Sequence, residues 1–370
     1  MKSKFFTGIA TLTGTIIGAG FLGIPYVVAK SGFLIGLFWM FLICVMMLLI
    51  NLMMGEIILS TKTMHHIPGY ASKYLGRKTK FFVFIASIIG LYAALVAYLI
   101  GEGDSISFLI FGTTRFSLYT SLGFWVLMSI ITFRGIRSFK KIEPLAVIIV
   151  FLVTLILGIV NFDKLNFSNL NYSNPSYLFL PFGVILFAFL GVSSIPEIKR
   201  VLKNNEKLMK KAIIIGSFIP LIIYVLFTII VLGLYGQEVS EIATISFGRI
   251  ITLLGMLTMF TAFFALNLAL QDTYRFDFKF SFKKAWIFSS IFPLIFFLII
   301  KFWNLGGFSK VLSWGGSISG GLLGISILLI HEHLQDKKRE RKPEIKIYIP
   351  LILKILFILI FISGILYEFL

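Results

Sequence analysis

Two short runs rich in small residues interrupt otherwise apolar stretches of the chain, and each ends in a small residue followed by Ile-Pro. They are residues 14–25, GTIIGAGFLGIP, and residues 187–196, FAFLGVSSIP. In a helix interior glycine costs about 1 kcal/mol and proline about 3 kcal/mol relative to alanine, so both runs predict a helix break. A break leaves backbone N–H groups free to bind an anion and carbonyl oxygens free to bind a cation. Because residues 5–29 and 176–196 contain no Lys, Arg, Asp or Glu, this binding chemistry belongs to the backbone.

The composition is that of a protein embedded in a lipid bilayer. Of 370 residues, 58% are hydrophobic and only 14% are charged, whereas about a quarter of the residues of a soluble domain are charged. The mean hydropathy is +0.98. These values exclude a cytosolic enzyme, a secreted disulfide scaffold and a receptor with a large ectodomain. The single cysteine, Cys44, has no partner for an intrachain disulfide.

Eleven apolar segments predict transmembrane helices, because about 20 apolar residues are needed to cross a bilayer. They lie at residues 5–29, 33–58, 81–101, 117–133, 142–160, 177–195, 212–234, 250–270, 285–300, 311–330 and 347–368. The first lacks a cleavage site and is expected to be a retained helix. We therefore predict an all-α polytopic membrane protein with 11 transmembrane helices.

The basic residues predict the orientation of these helices. The net charge is +18, and 27 of the 34 Lys and Arg residues fall on one side of the predicted membrane. Cytoplasmic loops are enriched in Lys and Arg, which places the N-terminus in the cytoplasm and, after an odd number of spans, the C-terminus outside the cell. This asymmetry explains the charge without a nucleic-acid partner. The expected location is the plasma membrane.

The two breaks occupy matching places in two halves of the chain. They lie at similar depths in the first and the sixth predicted span, so five spans are followed by a second set of five and one extra helix. The expected units are a first five-helix repeat at 1–160, an extracellular loop at 161–176, a second inverted repeat at 177–336, and a basic cytoplasmic loop with the last helix at 337–370. Paired interruptions of this kind indicate the midplane binding site of a transporter. By contrast, three glycines spaced by four in span ten are expected to pack helices closely: Gly316, Gly320 and Gly324.

Four stretches of sequence resemble a known group of proteins. They are 14–26 in span one, 94–104 (ALVAYLIGEGD) in span three, 182–197 in span six and 261–272 (TAFFALNLALQD) in span eight. Together they resemble the aromatic amino acid permeases and the amino acid/auxin permease family, of the amino acid–polyamine–organocation superfamily. The resemblance implies a 5+5 inverted-repeat (LeuT-like) core with discontinuous helices 1 and 6. It also implies a secondary transporter that imports amino acids by alternating access.

An amino acid carries a carboxylate and an ammonium group, and the first break offers groups for the carboxylate. We assign the backbone amides of Ala19 and Gly20, followed by Phe21, to that role, because free N–H groups and a positive helix dipole favour anions. The resemblance implies that the hydroxyl of Tyr98 also contacts the carboxylate. Simple interior packing of Tyr98 remains an equal alternative.

The ammonium group is expected to face backbone carbonyls of both breaks, near Ile16, Phe187 and Ala188. Specificity for the substrate side chain is assigned to Phe187, Phe189 and Val192, together with spans three and eight. A cationic or acidic substrate would require a counter-charge in these spans. The substrate is therefore expected to be a neutral amino acid, apolar or aromatic.

The coupling ion stays open at the level of sequence. Sodium-coupled relatives of this fold bind a cation between spans one and eight, and the matching positions are the carbonyls of Gly14, Ile17 and Thr258 and the hydroxyl of Thr261. Ala262 stands where a second hydroxyl is usual, which would weaken sodium binding. Proton-coupled relatives can use a lysine in span five, and residues 144–160 contain none. Coupling to H⁺, to Na⁺ or to neither is consistent with the sequence, with a slight preference for H⁺.

Several carboxylates lie near the ends of the predicted spans. Glu102 and Asp104 are expected to be solvated at the outer end of span three. Glu56 either matches a glutamate of the family near the cytoplasmic end of span two or is a solvated carboxylate at the interface. Glu197 is a candidate for a gate ion pair with a basic residue of an inner loop.

The remaining polar residues point to no metal and no organic cofactor. The pairs His65-His66 and His331-x-His333 are expected to be solvated residues in or beside basic loops, since the second pair lacks the i, i+4 spacing of a helical zinc site. The sequons at Asn166 and Asn171 carry little weight in an Asn-rich loop. A non-transporting amino acid sensor of the same fold is the main alternative, followed by a membrane-embedded transferase that would have to use the histidines. The oligomeric state stays open.

Overall fold

The structure is a computed structural model that describes residues 2–134, 143–336 and 339–370. Within these ranges the regular secondary structure is helical, and the β-pairing is an isolated antiparallel bridge between Gly32 and Ser173. The helices of the first half of the chain are α1 (Lys2–Ile16), α2 (Ile24–Ser31), α3 (Phe33–Ser60), α4 (Ile67–Leu75), α5 (Arg77–Phe111), α6 (Ser117–Phe133) and α7 (Glu143–Val160).

The second half of the chain continues with the same kind of element. Its helices are α8 (Leu180–Ala188), α9 (Ile195–Val201), α10 (Met209–Tyr235), α11 (Ala243–Ser246), α12 (Arg249–Asp277), α13 (Phe282–Phe302), α14 (Phe308–Trp314), a π-helix at Gly315–Gly320, α15 (Gly321–Asp336) and α16 (Leu351–Tyr367). Short 3₁₀ turns link several of them, among them Ala19–Gly23 and Val192–Ser194.

Seven helical segments of the described chain are long and apolar enough to cross a membrane, and an eighth is formed by the bent pair of helices at the N-terminus. Three further apolar helices are shorter, at Ser117–Phe133, Ile148–Val160 and Leu351–Tyr367. These helices confirm the prediction of a helical polytopic membrane protein.

The packing of α3 shows how such a helix serves both the protein interior and the lipid. Met40, Ile43 and Met47 on one side are buried against the core, while Phe38 and Phe41 on the other side are exposed. A helix that is apolar all round is typical of a membrane span, because both the protein core and the lipid chains accept apolar side chains. The exposed phenylalanines therefore mark a lipid-facing surface.

The first span is interrupted where the glycine-rich run predicts it. Helix α1 ends at Ile16, the 3₁₀ turn follows at Ala19–Gly23, and α2 begins at Ile24 with Pro25 in its first turn. The two helical parts are bent by 44°. Proline is well placed at a helix start, because its missing N–H would have no intrahelical partner there. Glycine and proline thus end one helix and begin the next.

The sixth span repeats this arrangement. Helix α8 ends at Ala188, a 3₁₀ turn spans Val192–Ser194, and α9 begins at Ile195 with Pro196 in its first turn. The hydroxyl of Ser194 donates a hydrogen bond to the carbonyl of Gly191 at 2.8 Å. This bond satisfies one of the backbone groups that the break releases from the helix.

The glycines of span ten allow close helix packing, as their spacing predicts. A Cβ atom at Gly316 would lie 2.7 Å from the backbone nitrogen of Phe187 and closer still to the carbonyl oxygen of Gly183. At Gly324 it would lie 2.7 Å from the ring of Phe361 in α16. The π-helix around Gly316 was not predicted. Such segments are rare and are frequent at functional sites.

Replacing Gly316 by alanine is expected to destabilise the protein by about 1–3 kcal/mol, because the backbone of α8 leaves no room for a methyl group. The measurement is the thermal unfolding midpoint of the purified protein in detergent. Gly123→Ala in α6 is the matched control, since a Cβ atom at Gly123 meets nothing within 4 Å. Equal midpoints for the two variants would contradict the close packing of α8 against span ten.

Candidate functional site

A cavity of about 230 Å³ lies between the two helix breaks. It begins at the end of α1 and the end of α8 and extends to Ile67 at the start of α4. Its walls come from both broken spans and from α4, α5, α12 and span ten: Thr15, Ile16, Gly18, Gly20, Ile67, Ser87, Gly90, Leu91, Ala94, Tyr98, Phe187, Ala188, Leu190, Val192, Ser193, Leu266, Ser319 and Leu323. A concave, mostly apolar site with a few polar groups is the usual form of a small-molecule site.

None of the described residues that line this cavity carries a formal charge. Its polar side chains are hydroxyls, at Thr15, Ser87, Tyr98, Ser193 and Ser319. A ligand with a carboxylate or an ammonium group would therefore have its charges met by backbone dipoles and hydroxyls.

Helix α5 contributes one wall through residues at helical spacing. They are Ser87, Gly90, Leu91, Ala94 and Tyr98, which recur every three or four positions and so share one face of the helix. The last of them, Tyr98, is buried and its hydroxyl meets the backbone amide of Ala19 in the first break. The side chain of Tyr98 is therefore aimed at the amides assigned to a carboxylate.

The two breaks approach each other closely at Gly20. A Cβ atom at this position would lie 2.8 Å from the ring of Phe187 and 3.3 Å from Cα of Ala188. Glycine is thus required for the contact between the first and the sixth span. Phe187 also lines the cavity, so this contact forms part of its wall.

Sequence reasoning missed Tyr224, the residue that joins the two breaks. Its side chain lies in α10 and is buried, and its hydroxyl lies 2.8 Å from the carbonyl oxygen of Ile16 and 3.0 Å from that of Ala188. These carbonyls belong to the last residues of α1 and α8, which have no intrahelical donor. A tyrosine inside an apolar span needs a hydrogen-bond partner for its hydroxyl, so the sequence could have drawn attention to Tyr224. It does not say which groups that hydroxyl contacts.

An aromatic cluster surrounds Tyr224 beyond the first break. The ring of Phe21 stacks on that of Tyr224 with centroids 6.0 Å apart, and Phe189 meets it edge-on at 5.2 Å. Phe227 contacts the ring of Phe21 at 5.3 Å. All four side chains are buried.

The structure brings most of the predicted substrate residues to the cavity. Those that line it are Ile16, Gly20, Tyr98, Phe187, Ala188 and Val192. The others, Ala19, Phe21 and Phe189, are buried beside it, the two phenylalanines within the aromatic cluster. Substrate binding by these nine residues stays a prediction.

The predicted ion-binding residues lie in or directly after α1 and in α12. The hydroxyls of the two threonines among them form hydrogen bonds within their own helix. The hydroxyl of Thr258 donates to the carbonyl of Gly255 at 2.7 Å, and that of Thr261 donates to the carbonyl of Thr258 at 3.0 Å. Ile17 is buried just after α1, and Gly14 is half-buried within it. Binding of a cation by Gly14, Ile17, Thr258 and Thr261 also stays a prediction.

At one end of the molecule the structure excludes the solvated alternative for Glu56 and contradicts the expected solvation of His331. The carboxylate of Glu56 is buried, and it lies 3.1 Å from Nε2 of His331 and 2.5 Å from the guanidinium of Arg339. It also accepts the backbone N–H of Ile347 at 2.8 Å. His331 is therefore a buried partner of Glu56, because α15 continues beyond the predicted span and packs this residue against α3.

The residues before α16 form further polar contacts at the same end of the molecule as Glu56. Glu340 contacts the ammonium of Lys73 at 2.6 Å and the backbone N–H of Lys62 at 2.8 Å, and the hydrogen bond from Lys73 holds the pKa of Glu340 below its usual range. Glu197, the gate candidate, pairs with Arg200 in the next turn at 3.0 Å, and both side chains are largely exposed. The partner of Glu197 is thus a basic residue of the predicted inner loop that belongs to α9, and a gate role for this pair stays a prediction.

The expected solvation of Glu102 is also wrong, since its side chain is only 1% exposed. The reason is that α5 continues to Phe111, so Glu102 lies well inside the helix and not at its outer end. Asp104 is half-buried. Among the described residues, no group of three or more His, Cys, Asp or Glu side chains could hold a metal ion.

Comparison with known proteins gives a family and several relatives. Residues 1–245 match the tryptophan/tyrosine permease family. The chain is 25% identical over 253 residues to glutamine transporter 2 of Aliivibrio fischeri, covering 66% of this chain and 65% of that protein. It is 26% identical over 240 residues to tyrosine-specific transport system 1 of Haemophilus influenzae, covering 61% and 57% respectively.

A plant protein is similar as well. The chain is 23% identical over 278 residues to amino acid transporter AVT3A of Arabidopsis thaliana, covering 70% of this chain and 65% of that protein. The matches thus span a little under two thirds of the length of these relatives. All are named as transporters, and none as an enzyme.

Replacing Tyr224 by phenylalanine is expected to lower stability by about 1–3 kcal/mol, because the carbonyls of Ile16 and Ala188 lose the hydroxyl that they share as a donor, while the aromatic stacking remains. The measurement is again the thermal unfolding midpoint. Tyr119→Phe is the control, since Tyr119 is 71% exposed on α6. If the two variants unfold at the same temperature, the hydroxyl bridge does not stabilise the breaks.

Proposed function

The chain belongs to the tryptophan/tyrosine permease family, and from that premise we propose that it imports a neutral amino acid by alternating access, with the proton as coupling ion. The substrate is apolar or aromatic in this proposal. The names of the relatives support an amino acid as substrate, since two act on tyrosine and glutamine by name.

The observation that carries the proposal is the uncharged cavity between two helix breaks. A substrate carboxylate would accept hydrogen bonds from the amides of Ala19 and Gly20 and from the hydroxyl of Tyr98. Its ammonium group would face the carbonyls of Ile16 and Ala188. The carbonyl of Ala188 has a second lone pair beside the bond from Tyr224, whereas that of Ile16 also accepts the backbone N–H of Gly18 at 2.8 Å. The absence of charge in the lining favours a neutral side chain on the substrate.

We also propose eleven transmembrane helices arranged as two inverted five-helix repeats and one extra helix. The seven long spans, the bent pair and the three shorter apolar helices supply the required number. The breaks in the first and the sixth span support the repeat, because each ends a helix in mid-span and begins the next with Ile-Pro. The repeats correspond to residues 1–160 and 177–336.

The conformation fits a state that is open to the cytoplasm. The cavity reaches Ile67, which lies between Lys62 and Lys73 on the basic side of the molecule. Basic loops are typical of the cytoplasmic side, which supports an N-terminus inside and a C-terminus outside. In this state the aromatic cluster of Phe21, Phe189, Tyr224 and Phe227 closes the outer path. Import would therefore release the substrate past Ile67.

The proposal is tested by uptake of radiolabelled amino acids into proteoliposomes that contain the purified protein. The panel includes tyrosine, tryptophan, glutamine, leucine, lysine and glutamate, under a proton gradient, a sodium gradient or neither. We expect uptake of a neutral amino acid, driven by the proton gradient. Gly20→Leu is expected to lower uptake at least about tenfold, because a side chain at Gly20 would collide with Phe187.

Gly123→Leu serves as the matched control for a glycine-to-leucine change, since it adds a side chain where the protein leaves open space. It is expected to keep the uptake of the wild type. Absence of uptake of every amino acid by folded wild-type protein would overturn the proposal. Ligand-dependent stabilisation without uptake would indicate a sensor of the same fold.

A further inference from the structure

A buried carboxyl group lies just beyond the cavity and takes no part in the contacts described above. Glu102 in α5 is 1% exposed, and neither oxygen of its carboxyl group has a hydrogen-bond partner among the described residues. An ionised carboxylate is very unfavourable in such surroundings, since neither water nor a counter-charge compensates it. The carboxyl group is therefore neutral in this conformation. Ionisable groups kept inside a membrane protein are commonly functional.

Glu102 continues the face of α5 that lines the cavity. The cavity residues of this helix end with Tyr98, and Glu102 lies one turn further along the same face. Ser105 follows on that face, and its hydroxyl is also buried without a partner. Two unsatisfied polar groups thus lie in line with the cavity, on the side of Tyr98 away from Ile67. An opening on that side would bring water to both.

Among the described residues, no charged group forms an ion pair or hydrogen bond with Glu102. Asp104 lies on α5 itself, and Arg249, Lys301 and Lys310 lie on α12, α13 and α14, which pack against α5. Glu241 and Glu368 contact α14. Lys301 donates to the hydroxyl of Ser117 at 3.1 Å, and Lys310 lies 3.8 Å from Glu368. Glu241 accepts the backbone N–H of Ser309 at 3.3 Å. These groups have other partners, or lie further along α5, as Arg249 does beside Gly112.

We propose that Glu102 is the proton-binding residue that couples transport to a proton gradient, an inference that rests on the proposed function. Closure of the outer path buries this carboxyl group, and only the neutral acid can be buried without a partner. The ionised form instead favours the state in which the outer path is open and water surrounds it. A proton taken up outside thereby permits closure, so that the substrate moves inward together with one proton.

Release of the proton inside follows the same face of α5. The O–H bond of the Glu102 carboxyl group breaks as its proton passes to water that reaches it from the cavity. One proton leaves as hydronium, and Glu102 becomes a carboxylate. That carboxylate is again unfavourable while buried, so its formation favours return to the outward-open state.

The test replaces Glu102 by glutamine, a neutral side chain of the same shape. The variant resembles the permanently protonated state, so it should exchange labelled for unlabelled substrate within about twofold of the wild-type rate. Under an imposed proton gradient it should no longer accumulate substrate, and its final inside-to-outside ratio should fall to about one. Asp104→Asn makes the same chemical change two residues further along α5, and it should accumulate substrate as the wild type does.

Two outcomes overturn the role of Glu102 while leaving the transporter function intact. One is proton-driven accumulation by Glu102→Gln at the wild-type level, which would make the carboxyl group merely structural. The other is wild-type exchange without any proton-driven accumulation. A wild-type protein that neither exchanges nor accumulates any amino acid would instead overturn the proposed function itself.

A second variant covers the case in which Glu102→Gln does not fold. Glu102→Met is suited to this, because apolar residues of similar volume often replace buried ionisable groups without loss of stability. It should also exchange substrate and fail to accumulate it. In parallel, a pH-sensitive dye in the vesicle lumen should report acidification during downhill uptake by the wild type, and constant lumen pH would overturn the inference.

Discussion

The need to satisfy backbone polar groups inside the membrane governs this structure. Water is absent from the hydrocarbon region, so a helix that ends there must find partners for its last carbonyls and first amides within the protein. The hydroxyl of Tyr224 supplies a donor near both the carbonyl of Ile16 and that of Ala188, and Tyr98 meets the amide of Ala19. The two breaks can therefore exist side by side, and the cavity between them follows from their presence.

Close approach of helices is the second requirement, and it depends on glycine. Gly20 lets the first break touch Phe187, and Gly316 lets span ten meet the backbone of α8. Gly20 lines the cavity, and Gly316 packs against the backbone of Phe187, which also lines it, so helix packing and the cavity wall depend on each other. Larger side chains at these positions would separate the broken spans and remove the enclosure that a small ligand needs.

Two carboxyl groups are buried outside the cavity, and their surroundings differ. At the basic end Glu56 is buried with His331 and Arg339, so its charge is compensated and the chain before α16 is fastened to α3. In α5, Glu102 is buried, and neither of its carboxyl oxygens has a hydrogen-bond partner in the part of the chain that the structure describes. A buried carboxylate with partners holds chain segments together, as Glu56 does. A buried carboxyl group without partners is suited to binding and releasing a proton, which is the role proposed for Glu102.

The sequence by itself determined the membrane class, the positions of the two breaks and the glycine-mediated packing of span ten. These properties depend on local composition and spacing, which a linear sequence displays directly. Only the tertiary structure showed that Tyr224 joins the breaks, that Glu56 and His331 meet, and that Glu102 is buried. Ile16 and Tyr224 are 208 positions apart in the chain, and the burial of Glu102 depends on helices from several parts of the sequence. Partnership and burial are properties of the packed molecule, because they are set by which helices become neighbours.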